Sequence, residues 1–130
     1  MTLPTPPRLV KIPGPQHMIT VEKHAGRVVV KLGDTVIADS GDALALFEDK
    51  HDPVYYIPRK DADMSQLLRT EHVSYCAYKG EANYYSLPLG GERSVNAVWT
   101  YETPFDAVAA IKEHLAFYPE RVDSIEQHDG

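Results

Sequence analysis

Residues 72–102 read HVSYCAYKGEANYYSLPLGGERSVNAVWTYE, and their alternation decides the fold class. Runs rich in aromatic and β-branched residues at 72–79, 82–88 and 93–102 are separated by Gly80-Glu81 and Gly90-Gly91, glycine-bearing pairs of the kind that turn hairpins. The spacing predicts an antiparallel meander. In its last strand Val95, Ala97, Trp99 and Tyr101 share one face, which makes Trp99 an expected core anchor, with Ser94, Asn96, Thr100 and Glu102 opposite.

Upstream, β-branched runs at 19–23 and 27–32 flank His24-Ala25-Gly26, and Gly33-Asp34 leads into 35–38, so a first meander is expected. Between the meanders, Ser40 is placed to cap a short helix over 42–49 that presents Leu44 and Phe47. A strand at 54–57 comes next, ended by Pro58. Asp61 or Asp63 is placed to cap a second short helix carrying Met64, Leu67 and Leu68. Downstream, Thr103, Pro104 and Asp106 form a capping signature for a longer helix over 104–115, with Phe105, Val108, Ile111 and Leu115 on one stripe. Pro119 breaks the chain beyond that helix, and 121–127 returns as a strand. The expected fold is α+β and β-rich: two antiparallel meanders in a compact domain with two short helices and one longer helix.

Pro4, Pro6, Pro7, Pro13 and Pro15 bias the start of the chain towards extended backbone, which divides it into a proline-rich arm, 1–18, and a single β-rich domain, 19–130. The arm could be disordered, cross the domain or reach a neighbouring subunit, leaving a homo-oligomer open. With 130 residues, 43% of them hydrophobic and 25% charged, one core is expected. A net charge of −6 disfavours nucleic acid and anionic lipid as partners, although a local basic cluster could hold a small anion. Cys76 is the only cysteine, so neither an intramolecular disulfide nor a multi-cysteine zinc site can form. With no basic-then-apolar opening and no long apolar run, a cytoplasmic protein without a membrane span is expected.

No standard catalytic motif occurs; the chemistry-bearing feature is tyrosine. Tyr55, Tyr56, Tyr75, Tyr78, Tyr84, Tyr85 and Tyr101 crowd the middle of the chain, and a buried phenol needs a partner for its hydroxyl, so a core that meets water or a polar ligand is indicated. The plainer reading is that the rings brace the sheet across strands. If 72–79 is one strand, His72, Ser74, Cys76 and Tyr78 share a face while Tyr75 and Lys79 share the other. Lys79 beside the turn at Gly80 could place an ammonium over an anion, and Arg59 could fork a carboxylate or phosphate. Asn96 and Glu102 could point into a cleft or into solvent. The candidate ligand-binding residues are therefore Arg59, His72, Tyr75, Tyr78, Lys79, Tyr84, Tyr85, Asn96 and Glu102. Cys76 with His72 as base could form a nucleophile, against the plainer reading of a small buried hydrophobe. A metal site is not expected, because further ligands are scattered.

Five blocks in order, Ile37-Ala38-Asp39-Ser40, Val54-Tyr55-Tyr56-Ile57-Pro58-Arg59, Tyr78-Lys79-Gly80-Glu81-Ala82-Asn83-Tyr84, Asn96-Ala97-Val98-Trp99-Thr100-Tyr101-Glu102 and Ala116-Phe117-Tyr118, resemble the "domain of unknown function 427" family over about 19–123. The resemblance implies a compact fold of the Mss4-like β-tent or barrel-like kind, and some classifications add a nucleotidyltransferase-type label. The chain departs from the family's usual pattern in having Cys76-Ala77 in place of Cys-Pro, and Tyr84-Tyr85 in place of Tyr-Trp. The structural zinc of Mss4-like domains is not carried over, since Cys76 has no partner cysteine, and no closely spaced Asp pair in the matching blocks suits magnesium. Two functions stay open: a small-molecule-binding domain, enzyme or not, for an anionic or nucleotide-like ligand, with its cofactor unspecified, and a non-catalytic protein-interaction module using a tyrosine-rich surface.

Overall fold

Period-2 alternation governs more of this chain than helical spacing does. Across residues 8–129, which the computed structural model describes, ten strands form: β1 Ile19–Lys23, β2 Arg27–Leu32, β3 Thr35–Ser40, β4 Leu44–Glu48, β5 Val54–Tyr56, β6 Leu68–Cys76, β7 Gly80–Ser86, β8 Val98–Thr100, β9 Leu115–Phe117 and β10 Ser124–His128. Pro4, Pro6 and Pro7 of the expected arm lie outside the described residues.

The strands make three antiparallel sheets, ordered β1-β4-β5, β10-β2-β3 and β6-β7-β8-β9. They do not close into a barrel. The meander expected over 72–102 is present as β6-β7-β8 and continues into β9. Its two faces feed different cores: Tyr85, Val98, Leu115 and Phe117 pack with Val28, Val30 and Ile57, whereas Tyr84, Tyr101 and Ala116 pack with Leu46 and Tyr56. A strand covered on both faces loses the apolar-polar alternation of a half-exposed one, and all three residues of β9 are buried. A single backbone bridge, Ile57 to Leu115, joins β5 to β9.

The first meander is only partly formed. β2 and β3 pair as expected across Gly33, but β1 leaves to pair with β4, and β10 takes the place beside β2. Gly26 allows this exchange, because a Cβ there would lie 2.0 Å from the carbonyl oxygen of His128. The residues at 42–49 form β4 instead of a helix. Leu44, Leu46 and Glu48 share one face, and Leu46 is buried while Phe47 is exposed. Ser40 caps no helix; its hydroxyl accepts from the Asp42 amide at 3.0 Å and donates to Asp61 at 2.7 Å. Asp63 does cap, accepting the Ser65 amide at 3.1 Å, but the element is one 3-10 turn, Met64–Gln66.

The longer helix is also corrected. A 3-10 segment, Asp106–Ile111, is kinked at Val108, and Leu115 already belongs to β9. Val108 and Ile111, three residues apart, are both buried, and 3-10 geometry aligns that spacing while leaving 115–117 free to pair with β8. The Gly90-Gly91 pair lies within another 3-10 segment, Pro88–Ser94, so the last meander strand is shorter than expected. Among the described residues there is no α-helix, and no helix is long and apolar enough to cross a membrane.

Candidate functional site

The turn between β6 and β7 fixes Lys79. Its amide donates to the Cys76 carbonyl at 3.2 Å, its carbonyl accepts from Phe105 at 3.0 Å, and Gly80 comes next at φ +112°, a region open to glycine. Lys79 therefore does not continue the strand's alternation. It folds back over the Cys76 face, with Nζ 3.7 Å from Sγ and 2.7 Å from Glu48 Oε1. Glu48 reaches this point because strand phase puts it on the face of Leu44 and Leu46. Its other oxygen lies 2.7 Å from His17 Nε2, and the His17 ring stacks on Tyr78 at 4.1 Å.

Residues 8–18 thus cross the domain and close over this ion pair. Lys11 donates its amide to Ala77, the Tyr75 hydroxyl donates to the Leu9 carbonyl at 2.6 Å, and Arg8 pairs with Glu81 at 2.8 Å. Burial opposes ionisation of Glu48, but hydrogen bonds from Lys79 and then His17 outweigh it and hold the carboxyl below its ordinary value of 4.5.

Four tyrosines and Trp99 build the rest. A cleft of about 280 Å³ runs from Lys79 and Glu48 past Tyr84 and Tyr101 to Tyr56, Trp99 and Tyr118. The Tyr84 hydroxyl is 2.8 Å from Ser74 Oγ at the rim, and Trp99 Nε1 donates to the Tyr56 hydroxyl at 3.3 Å. Trp99 also leans on Tyr118, with ring centroids 4.5 Å apart. Burial raises the Tyr56 and Tyr101 hydroxyls above their ordinary value, and burial with the neighbouring Tyr84 hydroxyl pushes Tyr118 up to about 12, so these three stay neutral. Tyr101 is the more deeply set of the two cleft tyrosines, Tyr101 and Tyr118, whose hydroxyls have no hydrogen-bond partner among the described residues: it is 6% exposed and its hydroxyl opens on the cleft.

The family model described as "Domain of unknown function (DUF427)" matches residues 20–128, a span that contains every strand from β2 to β10 and all the residues that line this cleft. The chain belongs to the DUF427 family. No curated protein matches it.

In this DUF427 domain the nine sequence candidates separate into distinct places. Lys79 and Tyr84 line the cleft, and His72 sets its ring edge-on to Tyr84 at 4.5 Å from the exposed side. Arg59, Tyr85 and Glu102 form a second group. Arg69 grips Glu102 through two bonds of 3.0 and 2.9 Å, and Arg59 stands 3.6 Å from the same carboxylate while donating Nε to the Glu113 carbonyl at 2.8 Å. Both guanidinium groups lie over the Tyr85 ring. Arg59 is thus engaged with protein groups, as is Glu102. Tyr75 and Tyr78 face the arm. Asn96, at φ +53°, accepts from the Thr70 hydroxyl at 2.6 Å and serves the turn before β8.

Trp99 is half-buried, a cleft wall as much as a core anchor, and Val95 does not share a buried face with it, since Val95 is 47% exposed. Cys76 has the Lys79 ammonium as its polar neighbour. Sequence reading of the DUF427 chain missed Glu48, because a helical phase at 42–49 hides the Leu44, Leu46, Glu48 alternation. It also did not place Tyr56, Tyr101 and Tyr118 on the cleft, although the tyrosine excess and the Ala116-Phe117-Tyr118 block pointed to them. Among the described residues no three His, Cys, Asp or Glu side chains converge as a metal site.

Proposed function

We propose that this DUF427 domain binds a small, uncharged, hydroxyl-bearing organic molecule in the tyrosine-lined cleft. The Tyr101 hydroxyl carries the reading. The Tyr101 ring is buried, its hydroxyl has no protein partner among the described residues and opens on the cleft, and a ligand's polar group there can take the place of water. The Tyr118, Tyr84 and Ser74 hydroxyls offer further donors and acceptors nearby, while Trp99 and Tyr118 offer ring surface for a planar or apolar face. The charge balance favours an uncharged molecule over an anion: Lys79 is matched by Glu48 at 2.7 Å, and an anion approaching the ammonium would meet that carboxylate. The inward orientation of Tyr56, Tyr84, Tyr85 and Tyr101, all buried, favours a cleft over a tyrosine-rich protein-contact surface.

Protein-observed NMR against phenol, methyl β-glucoside, myo-inositol and uridine tests the reading. Binding of at least one of them should shift the signals of Trp99 and Tyr101 and weaken about tenfold in Tyr101→Phe. A folded sample that responds to none, or only at the Arg59, Arg69 and Glu102 group, would refute it.

A further inference from the structure

The cleft has a neighbour of opposite character. A cavity of about 370 Å³ lies beside it, walled largely by carbon from Val28, Val30, Ile57, Phe117 and Ile125. The two spaces share two side chains, Val54 and Trp99.

Their adjacency arises from a fork in the strands. β5 and β9 meet at the Ile57–Leu115 bridge, bonded in both directions at 2.8 and 2.7 Å, and in antiparallel register the next such pair would be Tyr55 with Phe117. That pair is not joined. The ladder between them ends there, and Val54 and Trp99, the latter registered against Ala116, stand between the two spaces and line both. Tyr55 and Phe117 turn towards the apolar core, and Tyr56 and Ala116 towards the tyrosine core. The fork therefore sits where the two cores would otherwise be divided by continuous sheet. Trp99 stands in it half-buried, with Nε1 bonded to Tyr56 and its ring against Tyr118.

We propose that the ligand is amphipathic: its hydroxyl-bearing head occupies the tyrosine cleft, and an apolar chain or ring passes between Val54 and Trp99 into the second cavity. This rests on the cleft being a ligand site and adds the chemical class of the ligand. An open apolar cavity beside a small core forgoes packing that a filled one would have, and an apolar ligand group restores it.

A homologous series tests the extension apart from the head: phenol, 4-propylphenol and 4-pentylphenol, titrated by NMR. Phenol should shift Tyr101 and Trp99. The alkyl members should also shift Phe117 and Ile125, with affinity rising roughly fourfold per methylene. Filling the cavity with Ile125→Trp should bring 4-pentylphenol down to the affinity of phenol while leaving phenol unchanged. Gln127→Trp, at the exposed end of the same cavity, serves if Ile125→Trp does not fold. If phenol binds in the cleft but the alkyl chain adds neither affinity nor shifts at Phe117 and Ile125, the amphipathic assignment is overturned while the cleft reading stands. If no member of the series shifts Tyr101 or Trp99, the cleft reading fails and the extension fails with it.

Discussion

The Lys79 ammonium lies 2.7 Å from the Glu48 carboxylate, and 31 residues of sequence separate them. The contact ties the β6–β7 turn to the end of β4 at the polar end of the cleft, and His17 completes it from the arm. Lys79 is thus part of the architecture, and its place beside a glycine turn gives it a partner within the protein.

Breaking this pair from one side should be costly. Lys79→Met leaves Glu48 partly buried with only His17, and should lower unfolding free energy by about 2–3 kcal/mol, below the loss for fully enclosed pairs because Glu48 retains a partner. Glu48→Gln should cost less than that, and the double variant less than the sum of the two. Urea denaturation of the four proteins measures the coupling. Strict additivity would show that the two groups do not stabilise one another.

The same carboxylate sets an acid response. Its folded-state value lies below the ordinary 4.5, so the unfolded chain takes up the proton first as pH falls. Stability from this group is therefore present above 4.5 and is lost as pH drops through the lower folded-state value. Glu102 adds to the same limb, held down first by its hydrogen bond from Arg69. Melting temperatures between pH 6 and 3 should fall less steeply in Glu48→Gln than in the wild type; parallel curves would contradict the assignment.

Gly26 should tolerate no side chain. Its hypothetical Cβ meets the backbone oxygen of His128, which cannot swing away as a side-chain tip would. Gly26→Ala should loosen β10 from β2 and cost about 2 kcal/mol or more, within the range for overpacking. Hydrogen exchange should localise the loss to 27–32 and 124–128, and unchanged protection there would remove the close-approach argument.

How far the sequence foretold the molecule depends on what each residue had to compete with. The 72–102 meander was legible because aromatic runs and glycine turns agree with its local pairing. The β1–β4 and β2–β10 pairings were not, since nothing local to Gly26 or Lys23 announces a partner 20 or 100 residues away. Leu44 and Phe47 fit a helical stripe as well as Leu44 and Leu46 fit a strand, and sheet pairing decided between them. Asp106–Ile111 carries sound capping residues, but the pairing of β9 with β8 shortened it. At the site, Lys79 and Tyr84 could be named from the hairpin. Glu48, Tyr101 and Tyr118 come from three other strand ends, and only the folded chain brings them together.

The central claim is that the Tyr101 hydroxyl faces a ligand. Comparing Tyr101→Phe with Tyr56→Phe for stability and for binding of whichever probe shifts Trp99 tests it most directly. Tyr56→Phe removes the acceptor for Trp99 Nε1 and should cost about 1 kcal/mol of stability. Tyr101→Phe removes a hydroxyl that bonds to no described residue of the free protein. Its unfolding free energy should match or exceed that of the wild type, while probe affinity drops about tenfold, as losing one hydrogen bond to the ligand implies. A Tyr101→Phe protein that is destabilised and still binds as the wild type does would make the hydroxyl structural and contradict the account.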